Sequence, residues 1–173
     1  YPSNFGNWIA ASGAMTTGRG YIIRGSSGIS TFTGNPNNGN ITTPITRGTY
    51  TGANYAGPTA TPVTLNDDNL NLIGNPYPSS IDLNQFLGTN SAAIEGAAYF
   101  WSQETPPEGG QFSGTDYIPF NATGSVSSSS DTNRAVNGFA PSGQSFFIAS
   151  KTAGNATFTN AMRMADATSN NQF

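Results

Sequence analysis

Six aromatic side chains are the residues of this chain best suited to hold a ligand: Trp8, Tyr50, Tyr55, Tyr77, Trp101 and Tyr117. Each joins a flat apolar ring to one polar atom at its rim. Sugars offer apolar C–H faces that stack on such rings, while amides and carboxylates bond the hydroxyls. The chemistry these residues favour is carbohydrate recognition. Rings at alternating strand positions also build cores, and for Trp8, Tyr77 and Trp101 both uses stay open. In Tyr99-Phe100-Trp101, Phe100 faces away from its two neighbours, so one side of that strand is expected to be buried. Tyr50 and Tyr55 lie in a Gly/Thr-rich run and are expected at the surface. Tyr77 sits between Pro76 and Pro78, which constrain its backbone and fix the direction of its ring.

Oxygen ligands and carboxylates form the second group. Asp67, Asp68 and Asn69, with Asn66 before them, are the one oxygen-rich cluster. Calcium takes six to eight oxygens, so a loop of Asp, Asn and backbone carbonyls could hold one. The spacing lacks the full EF-hand pattern, and a polar turn held by local hydrogen bonds is the competing reading. A hydrolase acting on glycosidic bonds needs two carboxylates roughly 5–9 Å apart. Asp82, Glu95, Glu104, Glu108 and Asp116 are the candidates, and Glu104 and Glu108 flank a Pro-Pro turn as solvated charges do. Arg163 has two readings: a partner for Asp82, or an edge-strand cation that reaches for water and discourages aggregation.

Composition narrows the chemistry further. The chain has 173 residues, no histidine and no cysteine. Ser-His-Asp and Cys-His nucleophilic systems, Cys-ligated metals and disulfides are therefore excluded. Charged residues make up 9% of the chain, against about 25% in ordinary soluble domains. Solubility must come from hydroxyls and amides, a habit of extracellular β-proteins. Net charge is −3 and no basic run occurs, which argues against a nucleic-acid footprint. No stretch approaches the roughly 20 apolar residues that span a bilayer, so membrane insertion is not expected. The chain starts at Tyr1 in mid-pattern, as a piece of a larger polypeptide would. A catalytic role is not expected.

The elements that must position these side chains are strands. Gly18-Arg19-Gly20-Tyr21-Ile22-Ile23-Arg24 leads to Thr31-Phe32-Thr33-Gly34, and Gly143-Gln144-Ser145-Phe146-Phe147-Ile148-Ala149 leads to Thr157-Phe158-Thr159-Asn160. Each copy reads as a strand, a polar turn and a second strand. Two such hairpins predict two related halves, approximately 1–65 and 66–173, sharing one core. Strands are expected over Trp8–Ala11, Gly20–Gly25, Ser30–Thr33, Gly39–Ile45, Leu70–Gly74, Ala97–Gln103, Tyr117–Asn121, Ser145–Ser150 and Ala156–Asn160. Gly- and Pro-rich turns separate them. One short helix is expected over Ser80–Leu87, capped by Ser80 and stopped by Gly88. The predicted fold is all-β: a single jelly-roll-like β-sandwich over residues 1–173 with at most short helical turns.

Several motifs then carry a resemblance. Asn71-Leu72-Ile73-Gly74-Asn75-Pro76-Tyr77-Pro78-Ser79-Ser80-Ile81-Asp82 comes first, followed by Tyr99-Phe100-Trp101. Pro141-Ser142-Gly143-Gln144-Ser145-Phe146-Phe147 and Phe158-Thr159-Asn160-Ala161-Met162-Arg163 follow in order. Together, with the similar Phe32–Gly39 stretch, they resemble modules of large secreted Bacteroidetes proteins that lie upstream of type IX secretion sorting domains. The resemblance implies an extracellular or cell-surface location and a β-rich module; it brings no catalytic residues. The expected role is a non-catalytic accessory or adhesion module that binds a polysaccharide or surface glycan. A purely structural spacer and a two-carboxylate glycoside hydrolase are the alternatives.

Overall fold

In the computed structural model, which describes residues 10–23, 31–49, 69–102, 116–125, 135–166 and 168–170, strand alternation sets the fold. The described strands are β1 (Ile41–Ile45), β2 (Leu70–Gly74), β3 (Ile81–Asp82), β4 (Ile94–Trp101), β5 (Tyr117–Asn121), β6 (Gly124–Ser125), β7 (Phe139–Ala140), β8 (Ser145–Ser150) and β9 (Gly154–Phe158). The single described α-helix, α1 (Leu83–Thr89), has seven residues. The fold is all-β, as expected, and every pairing among the described strands is antiparallel. β2, β5 and β8 have the bounds expected from sequence. β3, β6 and β7 are two residues each, too short for a period-two signal to mark.

The largest sheet runs β2-β8-β4-β5-β6. On one side Ile73, Phe146, Ile148, Ala98, Phe100, Ile118 and Phe120 enter the core. Across that core lie α1, the β1–β9 ribbon and the β3–β7 pair. Phe86 of α1 stacks on Phe158 of β9 at 4.9 Å and meets Phe146 of β8 edge-on at 5.5 Å. Phe100 continues the cluster, stacked on Phe146 at 5.4 Å. Such ring pairs add about 0.5–1.5 kcal/mol each beyond the area they bury.

Asparagine amides complete ladders that strands leave open. Asn71 accepts from the Thr46 N–H at 2.8 Å and donates to the Thr46 carbonyl at 2.8 Å, imitating a strand partner just past β1. Asn90, the cap after α1, does the same for Thr157 of β9, at 2.7 and 2.9 Å. Two strand prolines, Pro44 in β1 and Pro119 in β5, stand where a missing N–H is tolerated. In a chain with few lysines, these devices shield strand edges without charge.

Three expectations are corrected. First, the repeated segments do not form equivalent hairpins. β8 is paired on both edges, with β2 and β4, so it has no free edge for β9, which pairs with β1 instead. The first copy lies at the sheet margin. Gly20 N–H donates to the Leu72 carbonyl at 3.1 Å and Gly74 N–H donates to that of Gly18 at 3.0 Å, but residues 20–23 and 31–33 are not strands. Phe32, in the second of those segments, is 62% exposed. Residues 10 and 11 likewise form no strand, while Trp8 and residue 9 lie outside the described residues.

Second, the helix cap is Asp82, not Ser80. Ile81 and Asp82 stay extended to pair with Ala140 and Phe139, and the Asp82 carboxylate then accepts from the Gln85 N–H at 3.1 Å. Ser80 is buried and its hydroxyl is bonded to that of Ser169. Third, Gly88 does not stop the helix, which continues to Thr89 because Asn90 caps it, donating to the Phe86 carbonyl at 2.9 Å.

Candidate functional site: the outer face of the five-stranded sheet

The register fixes which side chains share the sheet face turned away from the core. Leu72 of β2 is opposite Phe147 of β8, Phe147 is opposite Tyr99 of β4, and Tyr99 is opposite Pro119 of β5. These four form one row across four strands. Two residues along, Trp101 faces Tyr117 across the β4–β5 pair. Tyr99, Trp101 and Tyr117 are all partly exposed, whereas their neighbours Phe100 and Ile118 are buried in the core. The Tyr117 ring reaches across β4 to meet Phe147 edge-on at 5.7 Å. Phe147 is itself buried, yet it stands outside the main core cluster, as its position on the opposite face requires. The result is a mostly apolar patch on which Tyr99, Trp101 and Tyr117 keep part of their surface open while Phe147 is covered.

Of the six aromatic candidates, the structure brings Trp101 and Tyr117 together. Sequence reasoning passed over Tyr99 as a ligand-facing group and Phe147 as the buried ring beneath this face. Tyr99 shares the parity of Trp101 and was legible on that ground. Phe147 was not, because in Phe146-Phe147 either ring could face the core. Trp8, Tyr50 and Tyr55 lie outside the described residues.

Tyr77 is a correction. Its ring is 2% exposed and belongs to the core, so it offers no stacking face to a ligand. The hydroxyl donates to the Gly39 carbonyl at 2.6 Å. The Arg163 guanidinium lies 5.3 Å from the ring centroid. Burial pushes the Tyr77 phenol up from its ordinary value, and the Arg163 charge offsets part of that rise. The corner is built by Asn75, whose side-chain NH2 donates to the carbonyls of Ser79, Ala140 and Pro141 at 2.8, 3.0 and 3.1 Å. Its side-chain oxygen accepts from the Tyr77 N–H at 3.0 Å. Arg163 lies at the margin of β3, bridged to Ile81, and its guanidinium goes to neutral partners instead of Asp82. It donates to Asn38 Oδ1 at 3.0 Å and to Ser79 Oγ at 3.3 Å, tying the 36–39 loop to the corner.

The expected oxygen cluster divides. Asp67 and Asp68 lie outside the described residues. Asn69 is buried and turned to structural work: its side-chain oxygen accepts from the Gly48 N–H at 3.1 Å and its carbonyl from the Ser150 N–H at 2.9 Å. Among the described residues no three His, Cys, Asp or Glu side chains gather as metal ligands. Of the carboxylates, Asp82 caps α1, Asp116 is buried at the start of β5, and Glu95 lies in β4. Glu104 and Glu108 lie outside the described residues.

Residues 1–173 match the model of a family described as a domain of unknown function, DUF8693. The chain belongs to the DUF8693 family. No curated protein and no solved structure matches it. Among the described residues of this DUF8693 member, no helix is long and apolar enough to cross a membrane.

Proposed function

We propose that this DUF8693 domain is a non-catalytic carbohydrate-binding module of an extracellular or cell-surface protein. The observation that carries the reading is the placement of Trp101 against Tyr117, with Tyr99 beside them, on the sheet face opposite the core. Partly exposed rings held on adjacent strands form a stacking platform with little entropy left to lose on binding. The charge-poor composition fits a module that works outside the cell within a longer polypeptide, and the resemblance to type IX secreted modules agrees with that setting. Asp82 serves the helix cap and Asn69 the strand network, so neither asks for a catalytic or calcium role.

The test is affinity electrophoresis of the domain through gels containing cellulose derivatives, xylan, chitin, alginate or host glycans. Retention by at least one of them is expected. Trp101→Ala or Tyr117→Ala should weaken it on the order of tenfold, the equivalent of about 1.4 kcal/mol for a lost ring contact. Unretarded migration through every gel removes the carbohydrate reading and leaves the structural spacer.

A further inference from the structure

We infer that β1, with the loop before it, is an exchangeable arm, and that the groove along β9 also takes the same arm from a second copy of this chain. The first observation is where the arm's hydrogen bonds go. Among the described residues, those of residues 37–46 all run to the part of the chain from residue 71 onward. The Asn37 amide donates to the Pro76 carbonyl at 2.8 Å, and Asn38 Oδ1 accepts from Arg163 at 3.0 Å. The Gly39 N–H donates to Asn160 Oδ1 at 3.1 Å, and its carbonyl accepts from the Tyr77 hydroxyl at 2.6 Å. β1 pairs with β9 in a sheet of two strands, and Thr46 beyond it bonds Asn71 and the Ser150 hydroxyl. Gly18, which lies against the Thr43 side chain, precedes the arm and travels with it. The arm of another molecule would remake each of these bonds.

The second observation is what the groove loses when empty. Ile45 is buried in the core with Ala156 and Phe158 of β9, and Thr43 is buried too. Without an arm this apolar surface and the edge of β9 meet water, so each groove demands an arm from one molecule or another. The third observation is reach and charge. The Gly48 N–H donates to Asn69 Oδ1 at 3.1 Å, so the arm departs beside the start of β2. Residues 49–68, which join the two, have a contour of at most roughly 65 Å, enough to reach a neighbouring molecule. Residues 37–46 carry no charge that would repel a second copy. A connection of this length holds its own arm at an effective concentration on the order of millimolar. Reciprocal exchange fills both grooves and makes no new bond, so dimers should rival monomers near that same protein concentration.

Disulfide trapping in the full chain tests the exchange, on a background free of cysteine. Thr42 and Thr157 are register partners. The Asn90 amide takes both the N–H and the carbonyl of Thr157, so the two form a non-hydrogen-bonded pair with Cα atoms about 4.5 Å apart, which a disulfide can bridge. Full-length Thr42→Cys is mixed with full-length Thr157→Cys near millimolar concentration and oxidised. A cross-linked heterodimer is expected, on the order of tenfold above that formed by Thr42→Cys with Thr123→Cys, an exposed position in the β5–β6 turn. The double variant Thr42→Cys/Thr157→Cys, oxidised when dilute, should close its disulfide within one chain. Light scattering should then find it monomeric at the concentration where the parent forms dimers. A heterodimer yield no higher than the control, or a parent that stays monomeric at millimolar concentration, overturns the exchange. Failure of the double variant to close its own disulfide overturns the register on which the exchange depends.

Discussion

Asn75→Ala tests the best-supported structural claim, that one buried amide holds the Asn-Pro-Tyr-Pro corner. The substitution leaves the Tyr77 N–H without its acceptor and the carbonyls of Ser79, Ala140 and Pro141 without this donor. A buried polar group stripped of its partner costs about 1–3 kcal/mol, and carbonyls tolerate the loss better than N–H groups do. One orphaned N–H and two buried carbonyls then sum to about 3 kcal/mol. For a chain of this size that is a fall of roughly 6–12 °C in melting temperature. Asn75→Asp sharpens the test. Its carboxylate can still accept from Tyr77 but faces three carbonyl oxygens with nothing to donate. At neutral pH it should cost at least as much as alanine. Those oxygens raise the folded-state pKa of the new carboxyl above its unfolded value of about 3.9. The charge penalty is therefore full above the folded pKa and shrinks as pH falls toward the unfolded one. Urea unfolding of both variants across pH reads these values. An Asn75→Ala loss under about 1 kcal/mol, or an Asn75→Asp penalty that grows on acidification, refutes the amide-hub argument.

Gly20→Ala should release the first repeated segment from the sheet margin. A Cβ there would lie 2.5 Å from Leu72 Cγ and 2.9 Å from the Ile73 carbonyl oxygen. Hydrogen exchange should quicken at the amides of positions 20 and 74 and stay slow at the centre of β8. Asp82→Ala should cost about 1 kcal/mol through loss of the cap on α1, while Ser80→Ala should leave helix content unchanged, both read by circular dichroism and thermal melting. Tyr77→Phe should remove an alkaline transition. The folded-state phenol is raised by burial, so its contribution is intact below about pH 10 and fades as pH climbs through the folded pKa. The parent should lose stability there and the Phe variant should not.

Local patterns marked most of the strands and almost none of their partners. Leu70–Gly74, Tyr117–Asn121 and Ser145–Ser150 were legible because alternation and flanking Gly, Asn and Pro are signals within a few residues. The parity of Tyr99 and Trp101 likewise announced a strand with one buried side. Tyr77 stayed open between core and ligand contact because a tyrosine between prolines looks the same whether its ring points out or in. The Arg163 stack and the Gly39 carbonyl that settle the matter come from segments far away in sequence.

The sequence alone determined an all-β chain without thiol or imidazole chemistry, since composition and period-two alternation are properties of the string itself. Only the tertiary structure decided that one copy of the repeated segment lies at a sheet margin while the other supplies the interior strand β8. Backbone hydrogen bonds are blind to side-chain identity, so which edge a strand occupies depends on what the rest of the chain has already covered. The same reason places Trp101 beside Tyr117, since two rings sixteen positions apart become neighbours only when β4 and β5 pair in that one register.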